Sequence, residues 1–245
     1  MKKILIFGAA SAIAGETAKR FAAEKADLYL VDLSLSRLEA TKDDILARFE
    51  TNIHLKEMNA LEYENHDKLF EEAAETLGGL DAVLIAHGTL PDQDKALYEP
   101  KTMEKELNIN YLSVVSLAQA AANFFEKQKS GRLAVISSVA GDRGRQSNYL
   151  YGSAKGGVTT FLQGLRNRMD QYGVKVITIK PGLVDTPMTA HLPKNPLFSK
   201  PEDIGKIIYN AIKKGKEIVY APGFWRFVML GIIHTPEAIF KKLKL

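Results

Sequence analysis

Apolar residues fall into short runs separated by longer stretches with helical spacing. Ile4–Gly8, Leu28–Asp32, Ile53–Met58, Ala82–Ala86, Leu133–Ser137, Val174–Lys180 and Ile218–Ala221 each have the length and apolar content of a buried strand. Between them, Ala12–Ala23, Leu35–Phe49, His66–Leu77, about Lys101 to Lys127, about Tyr149 to Gln171, and Pro201–Lys213 repeat apolar positions at three- and four-residue intervals, as helices do. Continuous apolar strands alternating with helices predict an α/β fold, a single doubly wound parallel sheet with helices on both faces. In such a sheet ligands bind outside the carboxyl ends of the strands. Thr186–Lys200 is the one long irregular stretch; it carries Pro187, Pro193 and Pro196 and predicts a loop over that end.

Composition narrows this picture. The 245 residues suffice for one domain with a large core, and 46% apolar with 25% charged residues is ordinary for a globular protein. The absence of cysteine removes disulfides and thiolate chemistry and suits a reducing compartment. The net charge of +4 is uneven: residues 201–245 hold eight Lys/Arg against four Asp/Glu, and the remainder is balanced. No basic stripe with interleaved aromatics is present, which argues against nucleic-acid binding. Met1-Lys2-Lys3 and the apolar run after it resemble a signal peptide, but the run is short and opens a strand series, so a buried first strand is expected.

The chemistry concentrates in four places. Tyr151 and Lys155, four residues apart on a helix, share one face. An ammonium there favours the phenolate and lowers the tyrosine pKa, suiting the pair to move a proton to or from a carbonyl or alcohol oxygen. Ser137-Ser138 closes the strand before that helix. Gly8-Ala9-Ala10-Ser11-Ala12-Ile13-Ala14-Gly15 joins the first strand to the first helix with small residues that let a helix N-terminus approach a pyrophosphate. Only Gly8 stands where a glycine fingerprint requires one. Asp32 ends the second strand, placed for ribose hydroxyls or as a helix cap. Its charge opposes a 2′-phosphate, so NAD(H) is the expected cofactor, with NADP(H) the alternative because Arg37 lies nearby. Asn59 ends the third strand as an adenine contact or a turn residue. No metal is expected.

Together these motifs resemble the short-chain dehydrogenase/reductase family over almost the whole chain. The resemblance implies a Rossmann fold over residues 1–223, with 224–245 as an apolar and basic C-terminal extension. It implies a catalytic group of Asn110, Ser138, Tyr151 and Lys155, with Asn110 holding a water that links Lys155 to solvent. It carries cofactor contacts onto Gly8, Ser11, Ala12, Ile13, Asp32, Asn59, Ala60, Ala86, His87, Gly88, Tyr151, Lys155, Pro181, Gly182, Val184 and Thr186. Two departures stand out: alanines replace later glycines of the turn, and Ile85-Ala86-His87-Gly88 replaces the family's Asn-Asn-Ala-Gly. His87 is also readable as a packing residue. Homo-oligomers built on the helices bearing Asn110 and Tyr151 are common in the family and are expected here.

Ser137–Asn148, Phe224-Trp225-Arg226 and Phe240-Lys241-Lys242 further resemble decaprenylphosphoryl-2-ketoribose reductases. That resemblance implies reduction of a keto-sugar linked to a polyprenyl phosphate. Arg143 and Arg145, between Ser138 and Tyr151, are candidates to pair with a substrate phosphate, or are solvated surface arginines. Phe224–Ile233 is too short to span a bilayer, and with the basic residues after it suits either peripheral contact with an anionic membrane or a subunit interface or cleft lid. The expected location is cytoplasmic, with peripheral attachment to the inner face of the membrane as an option. The alternatives are a general soluble carbonyl reductase of the same family and a non-catalytic dinucleotide-binding regulator.

Overall fold

The structure is a computed structural model that describes residues 1–243; Lys244 and Leu245, part of the expected C-terminal extension, lie outside the described residues. Seven strands, β1 (Lys3–Phe7), β2 (Asp27–Asp32), β3 (Ile53–Glu57), β4 (Ala82–Ile85), β5 (Gly131–Ile136), β6 (Val174–Pro181) and β7 (Ile218–Ala221), form one sheet. All neighbours run parallel, in the order β3-β2-β1-β4-β5-β6-β7. The order reverses at β1, between β2 and β4, which opens a crevice at the carboxyl ends of β1 and β4.

Strand side chains alternate between two cores. Leu5 and Phe7 of β1 enter one core with α3 (His66–Leu77), α6 (Ser113–Gln128) and α7 (Tyr149–Asp170). Ile4 and Ile6 enter the other, with α1 (Ala12–Ala22), α2 (Leu35–Leu46) and α8 (Pro201–Lys214). The expected doubly wound fold is thus the observed one.

The chain departs from the expected elements in three places. A short helix, α4 (Gln93–Tyr98), follows β4 ahead of α5 (Pro100–Leu107), which begins the helix expected from about Lys101. The long helix expected from Lys101 to Lys127 is interrupted by a π turn at Asn108–Leu112, where the Ser113 N–H reaches back to the Asn108 carbonyl. Its apolar spacing runs on through the turn, so the pattern hides the break. The C-terminal apolar stretch is a helix, α9 (Trp225–His234), followed by α10 (Glu237–Phe240). The inner face of α9 buries Trp225 and Met229 against Val139, while Phe227 and Leu230 on its outer face are 74% and 57% exposed.

Trp225 fits because residue 182 is glycine: a Cβ there would lie 1.9 Å from the indole Nε1. Gly182→Ala is therefore expected to push Trp225 outward and to destabilise the fold by about 1–3 kcal/mol. Red-shifted emission of the chain's single tryptophan, with a lower denaturation midpoint, checks this.

Candidate active site

The first constraint is a close approach. Gly8 follows β1 with φ +79, and a Cβ on it would stand 2.5 Å from the His87 backbone nitrogen. A side chain at position 8 would wedge β1 and β4 apart, so glycine is required where the crevice opens. Ser11 caps α1 by accepting from Ala14 N at 3.3 Å. The N–H groups of Ala12 and Ile13 then have no acceptor within the helix and carry the positive end of its dipole. Asp32 accepts the Ala10 N–H at 3.1 Å, and Arg37 donates to the Ala10 carbonyl at 3.0 Å. Both side chains therefore brace the turn between β1 and α1. A helix N-terminus, a glycine cradle and a carboxylate at the end of β2 fit a dinucleotide. Asn59 is exposed and accepts from Leu61 N at 3.0 Å, a bond that fits the turn-residue alternative and leaves its amide at the surface. The Ala60 carbonyl faces His66 Nε2 at 3.2 Å.

The second cluster lies at the ends of β4 and β5. Ser138 leaves β5 and caps the short turn Val139–Gly141, its hydroxyl accepting from Ala140 N at 3.1 Å. Tyr151 lies in the first turn of α7, and Lys155 one turn on is 2% exposed. The Lys155 ammonium donates to the Ile136 carbonyl at 3.1 Å, and its own carbonyl accepts from Ser137 Oγ at 3.0 Å. Gly141 packs against the same backbone, since a Cβ there would meet Lys155 C at 2.6 Å. The backbone around Lys155 thus grips the Ser138 turn.

Electrostatics depart from expectation. Burial pushes the Tyr151 phenol up to about 12, with only the Ser138 hydroxyl pulling against it. The Lys155 ammonium lies 5.7 Å from the tyrosine ring centroid, and burial outweighs it, so the net shift is opposite to the one the spacing suggested. Burial instead brings Lys155 down to about 8, because the ammonium is the charged form removed from water.

Asn110 is buried in the π turn beside Gly88; a Cβ on Gly88 would lie 2.9 Å from Asn110 Oδ1 and 3.4 Å from Lys155 Nζ. His87 faces Ser113 Oγ at 2.8 Å, while that hydroxyl donates its single proton to the Ile109 carbonyl at 2.7 Å. Nε2 must therefore carry the imidazole proton. Nδ1 is left without a protein partner, and burial followed by the nearby Lys155 charge holds the ring neutral, at about 3. On the far side, Gly182 N donates to the Ala221 carbonyl, the Val184 carbonyl accepts from Thr189, and Thr186 begins the short turn Pro187–Thr189. Pro181 ends β6.

A model of the short chain dehydrogenases matches residues 2–197. The chain belongs to the short-chain dehydrogenase family. An uncharacterized oxidoreductase of Mycobacterium tuberculosis is 30% identical over 240 residues, 98% of this chain and 96% of that one. One from Streptomyces coelicolor is 29% identical, with 99% and 96% covered. The crystal structure of levodione reductase has a TM-score of 0.83 at 23% identity, covering 91% of this chain and 97% of that chain, a likeness of fold. The protein is thus an oxidoreductase of a family that binds NAD(P)(H).

Within this short-chain dehydrogenase, Arg143 is not free for a phosphate. Its Nη1 donates to the carbonyls of Ile232, Ile233 and Thr235 at 2.6, 3.0 and 2.6 Å, and Nη2 meets Glu237 at 2.9 Å. The Phe240 ring lies 3.6 Å from the guanidinium carbon. Arg143 therefore caps the negative end of α9 and fixes it to the Ser138 loop. Arg145 is partly buried between the Val139 carbonyl and Met229 Sδ, with Nε unpartnered. Sequence reasoning also missed the buried pair of Lys180 and Asp142, 2.5 Å apart, with Tyr220 donating to the same carboxylate at 2.8 Å. No periodicity signals such a contact between distant segments.

The neutral His87 generates a pH prediction. Its pKa is ordinary when unfolded and depressed when folded, so the unfolded chain binds the extra proton. Its contribution to stability is complete above about 6.5 and is lost as pH falls toward about 3. Thermal unfolding midpoints of His87→Asn are expected to fall less steeply over that window than those of the native protein.

Proposed function

We propose that this short-chain dehydrogenase reduces a ketone, with Tyr151 as proton donor, and that the ketone is on a sugar linked to a polyprenyl phosphate. The observation that carries the first half is the meeting of Ser138, Tyr151 and buried Lys155 at the ends of β4 and β5. When bound, the nicotinamide cofactor supplies the hydride. Tyr151, protonated at neutral pH, gives its proton to the carbonyl oxygen. Ser138 donates a hydrogen bond to that oxygen as charge grows. Lys155, still largely cationic below about 8, holds the nicotinamide ribose and steadies the tyrosinate left behind. Ser11, Ala12 and Ile13 would hold the pyrophosphate, and Val184 and Thr186 would meet the carboxamide.

The lipid-linked half rests on α9 and α10. Phe227 and Leu230 on α9 and Ile239 on α10 are exposed apolar side chains, and Arg226, Lys241 and Lys242 of the same two-helix segment are exposed as well. Exposed apolar side chains and cations on one segment suit an anionic bilayer or a lipid tail. Among the described residues no helix is long and apolar enough to cross a membrane, so contact is peripheral in this reading. A small ketone substrate is the second reading, favoured by Arg143, whose guanidinium is spent on α9. The preference for NAD(H) rests on Asp32. Homo-oligomers would form on α6 and α7.

Three outcomes are expected. Tyr151→Phe lowers kcat by roughly 10²–10⁴-fold with little change in NADH binding, whereas a non-catalytic binder has no rate to lose. Asp32→Ala narrows the preference for NADH over NADPH, read as the ratio of their dissociation constants. NADH oxidation is faster with a 2-ketopentose on a short polyprenyl phosphate than with the free sugar; the reverse order would leave a general carbonyl reductase.

A further inference from the structure

Beside Gly88, near Lys155, the Asn110 side chain is held by a polar cluster that includes residues with no role so far, Thr89 and Glu106. Asn110 is 1% exposed, yet every polar atom of its amide has a partner. Oδ1 accepts the Thr89 backbone N–H at 2.9 Å. Nδ2 donates to Thr89 Oγ1 at 2.9 Å and to Glu106 Oε2 at 3.1 Å. The Thr89 hydroxyl in turn donates to the same Glu106 oxygen. A backbone N–H only donates and a carboxylate only accepts, so these partners fix which end of the amide points where. Glu106 lies one helical turn before Asn110, at the end of α5, where the π turn begins. It is partly exposed, whereas Asn110 is sealed.

We propose that Glu106 is a positioning residue: with Thr89 it locks the Asn110 amide beside Gly88 and Lys155. This rests on the reductase reading for its effect on rate. Removing the carboxylate leaves one Nδ2 hydrogen and the Thr89 hydroxyl without an acceptor. A buried amide so released reorients or recruits water, which disturbs the surroundings of the Lys155 ammonium. Hydrogen bonds to a carboxylate are stronger than those between neutral groups, which suits Glu106 to hold the π turn in one arrangement.

The test compares the native protein with Glu106→Ala and Glu106→Gln. The readouts are Asn110 side-chain amide exchange by NMR, the NADH dissociation constant by fluorescence, and kcat with NADH. The ketones are a 2-ketopentose on a short polyprenyl phosphate, and cyclohexanone. In Glu106→Ala, amide exchange is expected to quicken and kcat to fall by about tenfold, with NADH affinity within about twofold. Glu106→Gln, whose carbonyl still accepts, should recover most of the rate. Native kcat in Glu106→Ala, or native exchange at Asn110, would overturn the proposal. Equal losses in both variants would do the same. If Glu106→Ala does not fold, Thr89→Val removes the bridging hydroxyl at nearly constant volume and carries the same expectations. If the native protein oxidises NADH with neither ketone, the reductase reading fails, and the exchange rates alone decide whether Glu106 holds Asn110.

Discussion

The site is organised around a single buried cation. Lys155 sits at the carboxyl ends of the strands, 2% exposed, in surroundings that cost its charge enough to lower it to about 8. Nearly every nearby element is shaped to keep it there. The Ile136 carbonyl takes a hydrogen bond from the ammonium, Ser137 holds its carbonyl, and Gly141 lets the Ser138 turn close on its backbone. Gly88 leaves room between it and Asn110. A cation so desolvated is an effective partner for an oxygen that gains or loses a proton, because low local dielectric strengthens the attraction that water would screen.

The same burial explains why Tyr151 rises rather than falls. Both groups leave water together, and desolvation disfavours phenolate and ammonium alike. The spacing of Tyr151 and Lys155 implied mutual stabilisation, yet spacing reports which face two residues share, not how dry that face is. In this structure the ammonium donates to the Ile136 carbonyl, and burial sets the direction of the phenol's shift against the Ser138 hydrogen bond.

Much of the fold and of the candidate site was legible because it is written locally. Strand runs, helical spacing, Gly8 before α1 and the Tyr151–Lys155 pair each occupy a few consecutive residues. What escaped is non-local or masked by a continuing pattern. Arg143 looked available, since its acceptors lie some ninety residues onward at the end of α9. The π turn at Asn108–Leu112 keeps the apolar spacing of an ordinary helix while shifting the backbone. Glu106 carried no signal, because a lone acidic residue on a helix is usually solvated. Asn59 could be read either way, and its side chain accepts from the Leu61 N–H, as a turn residue does.

The most direct measurement is the pH dependence of NADH-driven ketone reduction from about pH 6 to about pH 10, in the native enzyme and in Lys155→Ala. Because the Lys155 charge is lost as pH rises through about 8, the native rate should hold below that point and decline above it. Lys155→Ala should be slow throughout and lack that limb. A native rate that stays level across the range, or a decline that persists in Lys155→Ala, would contradict the central place given to the buried ammonium.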